Sequence, residues 1–588
     1  MALTLFLLAV VAGAAATQVP LQPPSPHRPS LFSSDLLSFI EEIRQNASIP
    51  GVSVGVVRLG EDKQPVHQLA ASGRKLEEGN GYDLTPETLF GMASCSKAFL
   101  ATSVGILMDD FARGKNSTTL PPSVSAFTWD TKVRDLLPEE LGWSLQEPDG
   151  TLDGWTTRKA SIRDVLGHVS GLPRHDFAYG PGDTAADIVR RMRVLRSAYE
   201  LREKWSYNNQ MYMLGAHLVA QYSGMSYADF LSTRIFGRLH MNDTTIWLSV
   251  AQRSGKLAHS WNKDGRRIPF WFNDGSVIFG AGAGGVISSA EDMVKWLAVW
   301  LNKGVDPVSN QMLFPESVYE ATTTARWVAK GQPSAPLGAS ILGYGMGWER
   351  WSYGSVDVVE HGGGIPGFSL LTAFSPDNNI GVTVLCNADE KALAARMILK
   401  RTFDDVLGLP PTKLIYPSDK PVALSDSYAA KNTSTAPPSL SIARYAGLYT
   451  SPGYAPIALC HAESTSTYCK DVLSAFFSLG KPPSFASGLY AAFRSVWATH
   501  VRMEHAGGDA FDATFTAIFP TGYGRNTSAF GFSETGESGG PVEFDVRGGE
   551  VFGFSLVTDQ AAVDARRRRF GEGASAREVA DAWFEKVG

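Results

Sequence analysis

The chain has 588 residues, 44% of them hydrophobic and 19% charged, with a formal net charge of −6. That is the composition of a folded globular protein, which excludes a disordered chain or a fibrous repeat. The acidic balance, broken by one basic run from Arg566 to Arg569, leaves no electrostatic footprint for nucleic acid.

In chain order, an apolar stretch from Leu3 to Val11 runs into small residues at Ala14–Ala16. This reads as a signal peptide over residues 1–17. The stretch is shorter than the ~20 residues a spanning helix needs. A secreted protein without a membrane anchor is therefore expected. Sequons at Asn46, Asn116, Asn242, Asn432 and Asn526 are then candidate glycosylation sites. Residues 18–33 form a Pro-rich leader. A helix is predicted from Asp35 to Gln45 with Ser34 as its cap, and a strand from Gly51 to Leu59. Further helices are predicted over Ser94–Asp110, Asn208–Tyr222 and Ala290–Asn302. Ser289 would cap the last of these, and Asp292 would complete a capping box. VDVVE, FSLLTAF and IGVTVLCN, between Ser355 and Asn387, read as a three-strand antiparallel meander. An early strand, a helical middle and a late meander define an α+β domain over residues 34–410.

Residues 411–440 are polar and Pro-rich and read as a linker. Residues 441–588 carry short strand-like runs with Gly and Pro turns, the pattern of a small all-β barrel or sandwich. A terminal helix is expected from Ala576 to Lys586, capped by Ser575 and boxed by Glu578. The Arg566–Arg569 run reads as a solvated face. Of four cysteines, Cys460 and Cys469 are expected to close a short loop as a disulfide. Cys95 and Cys386 lie in apolar contexts and are expected to be buried and free.

Three short patterns carry chemistry. S-x-x-K places an amine one helical turn from a hydroxyl, where it can take the proton of a serine nucleophile. The pattern occurs at Ser72–Lys75, Ser94–Lys97, Ser260–Lys263 and Ser478–Lys481. Only Ser94 opens a long apolar helix, which would bury Lys97 and lower its pKa. In WSYNNQMYMLG, Tyr207 and Asn209 form a Y-x-N pair. It offers a proton-handling phenol, and an amide that can hold Lys97 and a substrate carbonyl together. HGGGIPG starts at His361, at the end of one strand and the start of a turn. Its glycines allow close substrate approach, and the N–H of Gly364 with that of Ser94 would make an oxyanion hole.

Together and in this order, the three patterns resemble the β-lactamase-related serine hydrolases. That family includes class C β-lactamases, D-Ala-D-Ala carboxypeptidases, D-aminopeptidases, and esterase and transacylase relatives. ASIRDVLGHVSGLPRHD, GAGGVISSAEDMVKWL and YGMGWERW are similar to family segments as well. The resemblance covers roughly residues 34–410. It implies a β-lactamase/transpeptidase-like fold with Ser94 as acylated nucleophile, Lys97 as its proton partner and Tyr207 as base. Asn209, His361, Gly363 and Gly364 would bind substrate. No metal and no organic cofactor are implied. The tail is similar to the lipocalin-like barrel of some relatives, where such a domain can cover the active-site cleft. One position departs from the family: His361 stands where β-lactamases and many transpeptidases carry Lys. A His is mostly neutral near pH 7. That points away from substrates needing a fixed cation for their carboxylate, and toward esters, other amides or acyl transfer.

GESGG at Gly536–Gly540 matches a nucleophile-elbow pattern, but no His follows His505 to complete a triad. Residues Gly536 to Pro541 are read as a loop, and His168 and His175 as structural histidines. The function expected is a secreted serine hydrolase of an ester or amide, with a small-molecule or peptide-like acyl substrate. An acyltransferase of secondary metabolism and a non-catalytic secreted binding protein are the alternatives.

Overall fold

The computed structural model describes residues 30–334, 338–411, 436–480, 485–533, 539–571 and 573–587. The leader segments before residue 30 and Asn432 lie outside the described residues.

The first unit is built on an eight-stranded antiparallel sheet. Its strands are β1 (Gly51–Leu59), β2 (Pro65–Gly73), β3 (Trp327–Lys330), β4 (Leu342–Tyr344), β5 (Glu349–Tyr353), β6 (Val356–Ile365), β7 (Phe368–Ser375) and β8 (Ile380–Cys386). The order β2-β1-β8-β7-β6-β5-β4-β3 joins the first strand of the domain to the last of the meander. The β1–β8 register runs from Val52↔Cys386 to Arg58↔Ile380.

β1 has the predicted bounds and is buried on both faces. Val52, Val54 and Val56 face a cluster formed with α1 (Ser34–Asn46) and α6 (Ala392–Leu407). On the other face, a side chain at Gly55 would strike Val294 of α5 (Ala290–Leu301) at 2.8 Å, so the glycine lets helix and sheet close together. The cap of α1 is Ser33 rather than Ser34: its Oγ accepts from the Leu36 N–H and donates to Asp405. Ser289 caps α5, but Asp292 does not complete the box. Its carboxylate takes the Asp243 N–H, the Thr244 hydroxyl and Lys295 instead. In sequence between β2 and β3 come α2 (Ser96–Ala112), α3 (Asn209–Ser223) and α4 (Asp274–Gly284), which pack on one another.

The second unit is a nearly closed barrel. Its strands are β9 (Gly447–Ser451), β10 (Tyr454–Leu459), β11 (Leu489–Ala492), β12 (His500–Gly507), β13 (Ala510–Phe519), β14 (Phe530–Phe532), β15 (Gly539–Arg547), β16 (Glu550–Leu556) and β17 (Ala582–Val587). Eight form the path β10-β9-β17-β16-β15-β13-β12-β11, and β14 pairs with β13. Paired backbone bonds between Cys460 and Tyr490 bring the two ends together. Rings of Tyr445, Tyr449, Phe511, Phe544, Phe554 and Phe584 pack on one another and fill the inside. Cys460 and Cys469 form the expected disulfide, and Cys95 and Cys386 are buried and free.

Three tail expectations need correction. The helix from Ala576 stops at Val579 although its capping box forms; Ala582–Val587 is a strand instead, because Phe584 stacks on Phe554 and β17 closes the barrel path. Gly539 to Pro541 open β15 rather than lying in a loop, while residues 534–538 lie outside the described residues. The basic run sits on α7 (Gln560–Phe570), but Arg566 is not solvated. It is buried and pairs with Asp581 at 2.9 Å.

Arg566 also fastens the two units. Its Nε donates to Ser197 O at 3.0 Å and its Nη2 to Arg196 O at 3.1 Å. Nearby, His175 Nδ1 meets the Tyr454 hydroxyl at 2.7 Å and Phe177 stacks on Phe515 at 4.1 Å.

Candidate active site

The chain reaches Ser94 through a two-residue ladder, Phe90–Gly91 against Ile287–Ser288, followed by a bond from Met92 N–H to Val286 O. Ala93 is then held at φ +45°, a region a side chain disfavours. This kink sets Ser94 in a short 3₁₀ turn, and α2 begins at Ser96. Strand β6 passes so close that a side chain at Gly363 would meet Met92 O at 2.6 Å. The predicted turn at HGGG is therefore strand, running to Ile365. Its glycines serve close approach to the serine, while Gly364 faces open space.

Lys97, the second residue of α2 and three residues beyond Ser94, is fully buried. Its Nζ is 3.1 Å from Ser94 Oγ, 2.8 Å from Asn209 Oδ1 and 2.8 Å from Ala283 O. Burial holds its pKa well below the usual lysine value, and Arg174 adds to that. A neutral amine fits these contacts: two N–H bonds go to Asn209 and Ala283, and the lone pair faces the Ser94 hydroxyl. Asn208 caps α3 and ties it to Leu172 O and Pro173 O, which fixes Tyr207 and Asn209 on either side. The Tyr207 hydroxyl is 2.7 Å from Ser94 Oγ. Burial raises the Tyr207 pKa above that of a free phenol, although the Arg174 guanidinium, 5.1 Å from the ring centre, opposes it. At rest Tyr207 is therefore protonated, and the group suited to take a proton is Lys97.

The Beta-lactamase family model matches residues 36–403, more than half of the chain. The chain belongs to the Beta-lactamase family. It is a serine hydrolase of that family. An unguisins hydrolase of Aspergillus campestris is 28% identical over 463 residues, covering 75% of this chain and 80% of the relative. A D-aminopeptidase of Brucella ovis is 25% identical over 406 residues, covering 66% and 65%. In fold, the chain is similar to the octameric penicillin-binding protein homologue of Pyrococcus abyssi, at a TM-score of 0.51 and 18% identity. That match covers 89% of this chain and 98% of the other.

The four-residue contact set of this Beta-lactamase-family site thus joins Ser94, Lys97, Tyr207 and Asn209. His361 is close but turned to another task. Its Nδ1 faces Gly362 O at 2.7 Å and its Nε2 faces the Tyr344 hydroxyl at 3.4 Å, so Nδ1 carries the proton. Burial, helped by Lys97, pushes its pKa down to about 3. His361 is neutral and offers no cation to a substrate. The other S-x-x-K serines lie elsewhere: Ser72 binds Glu41, Ser260 sits in a two-residue strand, and Ser478 ends a helix.

His168 and His175 are structural, as expected. His168 packs on the Tyr207 ring at 4.5 Å, and burial keeps it neutral. His175 joins Tyr454 to Arg196 O.

Sequence reasoning missed the ring of support around the site. Asp176 accepts from Asn209 Nδ2 at 2.8 Å, from the Tyr179 hydroxyl at 2.7 Å and from Arg174 at 2.8 Å. Arg174 and Asp176 lie in the PRHD segment and Tyr179 just beyond it, and the charges of that segment were a signal that it faces something polar. Missed as well was the barrel's own contribution. A cleft opens at Ser94 and is lined by Arg174, Met213, Phe279 and Gly364, and also by Val496 and Trp497.

Proposed function

We propose that the protein cleaves a small-molecule or peptide-like amide or ester through an acyl-enzyme on Ser94. The observation that carries this is the buried Lys97 amine, 3.1 Å from Ser94 Oγ, with its other contacts already filled by acceptors. Lys97 takes the Ser94 proton as Oγ attacks the carbonyl carbon. The N–H groups of Ser94 and Gly364 stabilise the oxyanion. The leaving nitrogen or oxygen departs with a proton passed through the Tyr207 hydroxyl. Water then attacks the ester carbonyl, the same groups carry its proton back to Ser94 Oγ, and the acid leaves. The names of the fungal hydrolase and the bacterial aminopeptidase support a peptide-like amide. The neutral His361 supports a substrate that needs no cation at that position.

The Leu3–Val11 run supports entry to the secretory route. Asn46, Asn242 and Asn526 are exposed and open to glycosylation, whereas Asn116 is half-buried and spends its amide on Thr118 O. The lipocalin-like reading of the barrel rests on its near closure; its filled interior suits a cover for the cleft rather than a carrier of ligand.

Intact-mass analysis with a fluorophosphonate probe tests the chemistry. One adduct on the wild type and none on Ser94→Ala is expected. A folded wild type that takes up no probe would return the non-catalytic reading.

A further inference from the structure

The cleft has a lopsided wall. Tyr207, which must face the leaving group to hand it a proton, does not line it; Ser94, Asn209 and Gly364 do. The cleft is therefore on the acyl side of the attacked carbonyl. Away from Ser94 an apolar and aromatic wall is built by Met213, Phe272, Phe279 and Ile365 from the catalytic unit and by Val496 and Trp497 from the barrel, while Arg174, Tyr179 and Ser276 are its polar members. Phe279, Met213 and Ile365 are nearly inaccessible, so these walls are packed in place.

Trp497 is held from two sides. Its ring meets Phe272 edge-on at 5.6 Å, and its indole N–H donates to the Tyr179 hydroxyl at 3.0 Å. The backbone beside it is pinned too, because Val496 N–H donates to Tyr179 O at 3.3 Å. At Gly180 a side chain would strike Arg494 O at 2.5 Å, so the loop 493–498 and the segment 176–180 meet backbone to backbone. Tyr179 in turn bonds Asp176, and Asp176 bonds Asn209.

We infer that Trp497, carried by the barrel, is a specificity-determining residue: it completes an acyl-side pocket that selects substrates with a bulky apolar or aromatic acyl group. This rests on the acyl-enzyme reading above, and it adds which part of the substrate is read and by which residue. The pocket is incomplete in the catalytic unit alone, since two of its walls belong to the second unit. Tryptophan suits the task because it presents a large rigid face while its N–H is satisfied by a partner.

The test compares p-nitrophenyl acetate with p-nitrophenyl phenylacetate on the full-length wild type, Trp497→Ala and Trp497→Phe. The leaving group is constant, so the ratio of the two kcat/KM values reads the acyl pocket. The wild type is expected to prefer phenylacetate. Trp497→Ala should lower that preference at least about tenfold, in the range a hydrophobic pocket contact supplies. The loss should fall more heavily on the phenylacetate than on the acetate, and Ser94 should still label with the fluorophosphonate. Trp497→Phe keeps a smaller aromatic wall and loses the indole N–H and part of the ring face, so it should retain part of the preference. It also guards against a Trp497→Ala that fails to fold. An unchanged ratio in both variants, or equal loss on both esters in a protein that still melts cooperatively, would overturn the inference. A wild type that resists the probe and hydrolyses neither ester would instead overturn the acyl-enzyme reading, and the pocket assignment with it.

Discussion

Tyr207→Phe and Lys97→Met separate the two proton-handling groups. Tyr207→Phe removes one hydroxyl bonded to Ser94 Oγ at 2.7 Å and leaves the ring against His168. Ser94 keeps its Lys97 contact and the open cleft, so the stability change is one hydrogen bond, about 0.5–1.5 kcal/mol. The rate loses a positioned proton carrier, worth ~10²–10⁴-fold, or about 3–5 kcal/mol of barrier. Lys97→Met removes the base itself and also strips donors from Asn209 Oδ1 and Ala283 O, costing about 1–3 kcal/mol for each buried acceptor. The pH profile divides the roles. Lys97 must be neutral to take the proton, so kcat/KM should rise with pH through its lowered pKa. That acidic limb should survive in Tyr207→Phe, at a lower plateau, and vanish in Lys97→Met. Stopped assays on p-nitrophenyl phenylacetate from pH 4 to 9, normalised by fluorophosphonate titration of active sites, give both quantities. If Tyr207→Phe abolished the limb, the assignment of Lys97 as resting base would fall; rates within a few-fold of wild type would instead remove Tyr207 from the proton transfer.

Other consequences are simpler to state. Arg566→Met should cost about 3 kcal/mol in urea unfolding, the low end for a broken buried pair, because Asp581 keeps N–H bonds from Thr558 and Asp559. Glu349 lies across from Glu360 on neighbouring strands, and burial with that neighbour pushes its pKa up to about 7. The folded state therefore holds a proton that the unfolded chain releases near pH 4.5. Stability falls as pH rises through that window, and Glu349→Gln should flatten the decline of Tm between pH 4.5 and 7.5. Replacing Cys460 and Cys469 together by Ser opens a loop of sequence separation 9, which should lower the unfolding free energy by roughly 3 kcal/mol and reproduce the effect of a reductant on Tm.

The parts legible in the sequence are those in which local pattern and final contacts agree. Strand β1 is β-branched and ends at its predicted residues because it is a central strand that any core must bury. Ser94, Lys97, Tyr207 and Asn209 were legible because their spacing is the chemistry: three residues bring a serine to an amine, and an asparagine cap fixes the pair that meets them. The misreadings come from long-range partners. AWFEKV has a well-capped start, yet Phe584 gains more by pairing with β16 and stacking on Phe554 than by continuing a helix. Arg566 looks like one of four equivalent arginines until Asp581, Arg196 O and Ser197 O surround it. The HGGG glycines read as a turn because glycine usually marks one, but here Gly363 clears space for Met92 and Ala93 within a strand.

The same limitation explains why the barrel's role in the site was invisible. No motif in residues 441–588 carries chemistry, and Val496 and Trp497 become part of the cleft only when loop 493–498 docks on residues 176–180. That docking has an electrostatic consequence at the serine. Burial holds the Lys97 pKa well below its usual value, and His361 and Tyr207 are displaced from their ordinary values for the same reason. The rings of Phe177, Phe493 and Phe515 seal the segment that carries Asp176, and Asp176 holds Asn209, one of the acceptors on Lys97. Substitutions in that seal, far from Ser94 in sequence, should therefore let water toward the amine and raise its pKa. Phe515→Ala should move the acidic limb of kcat/KM to higher pH while leaving the nucleophile intact. An unshifted limb in a folded Phe515→Ala protein would mean that the catalytic unit keeps Lys97 dry without the barrel's help.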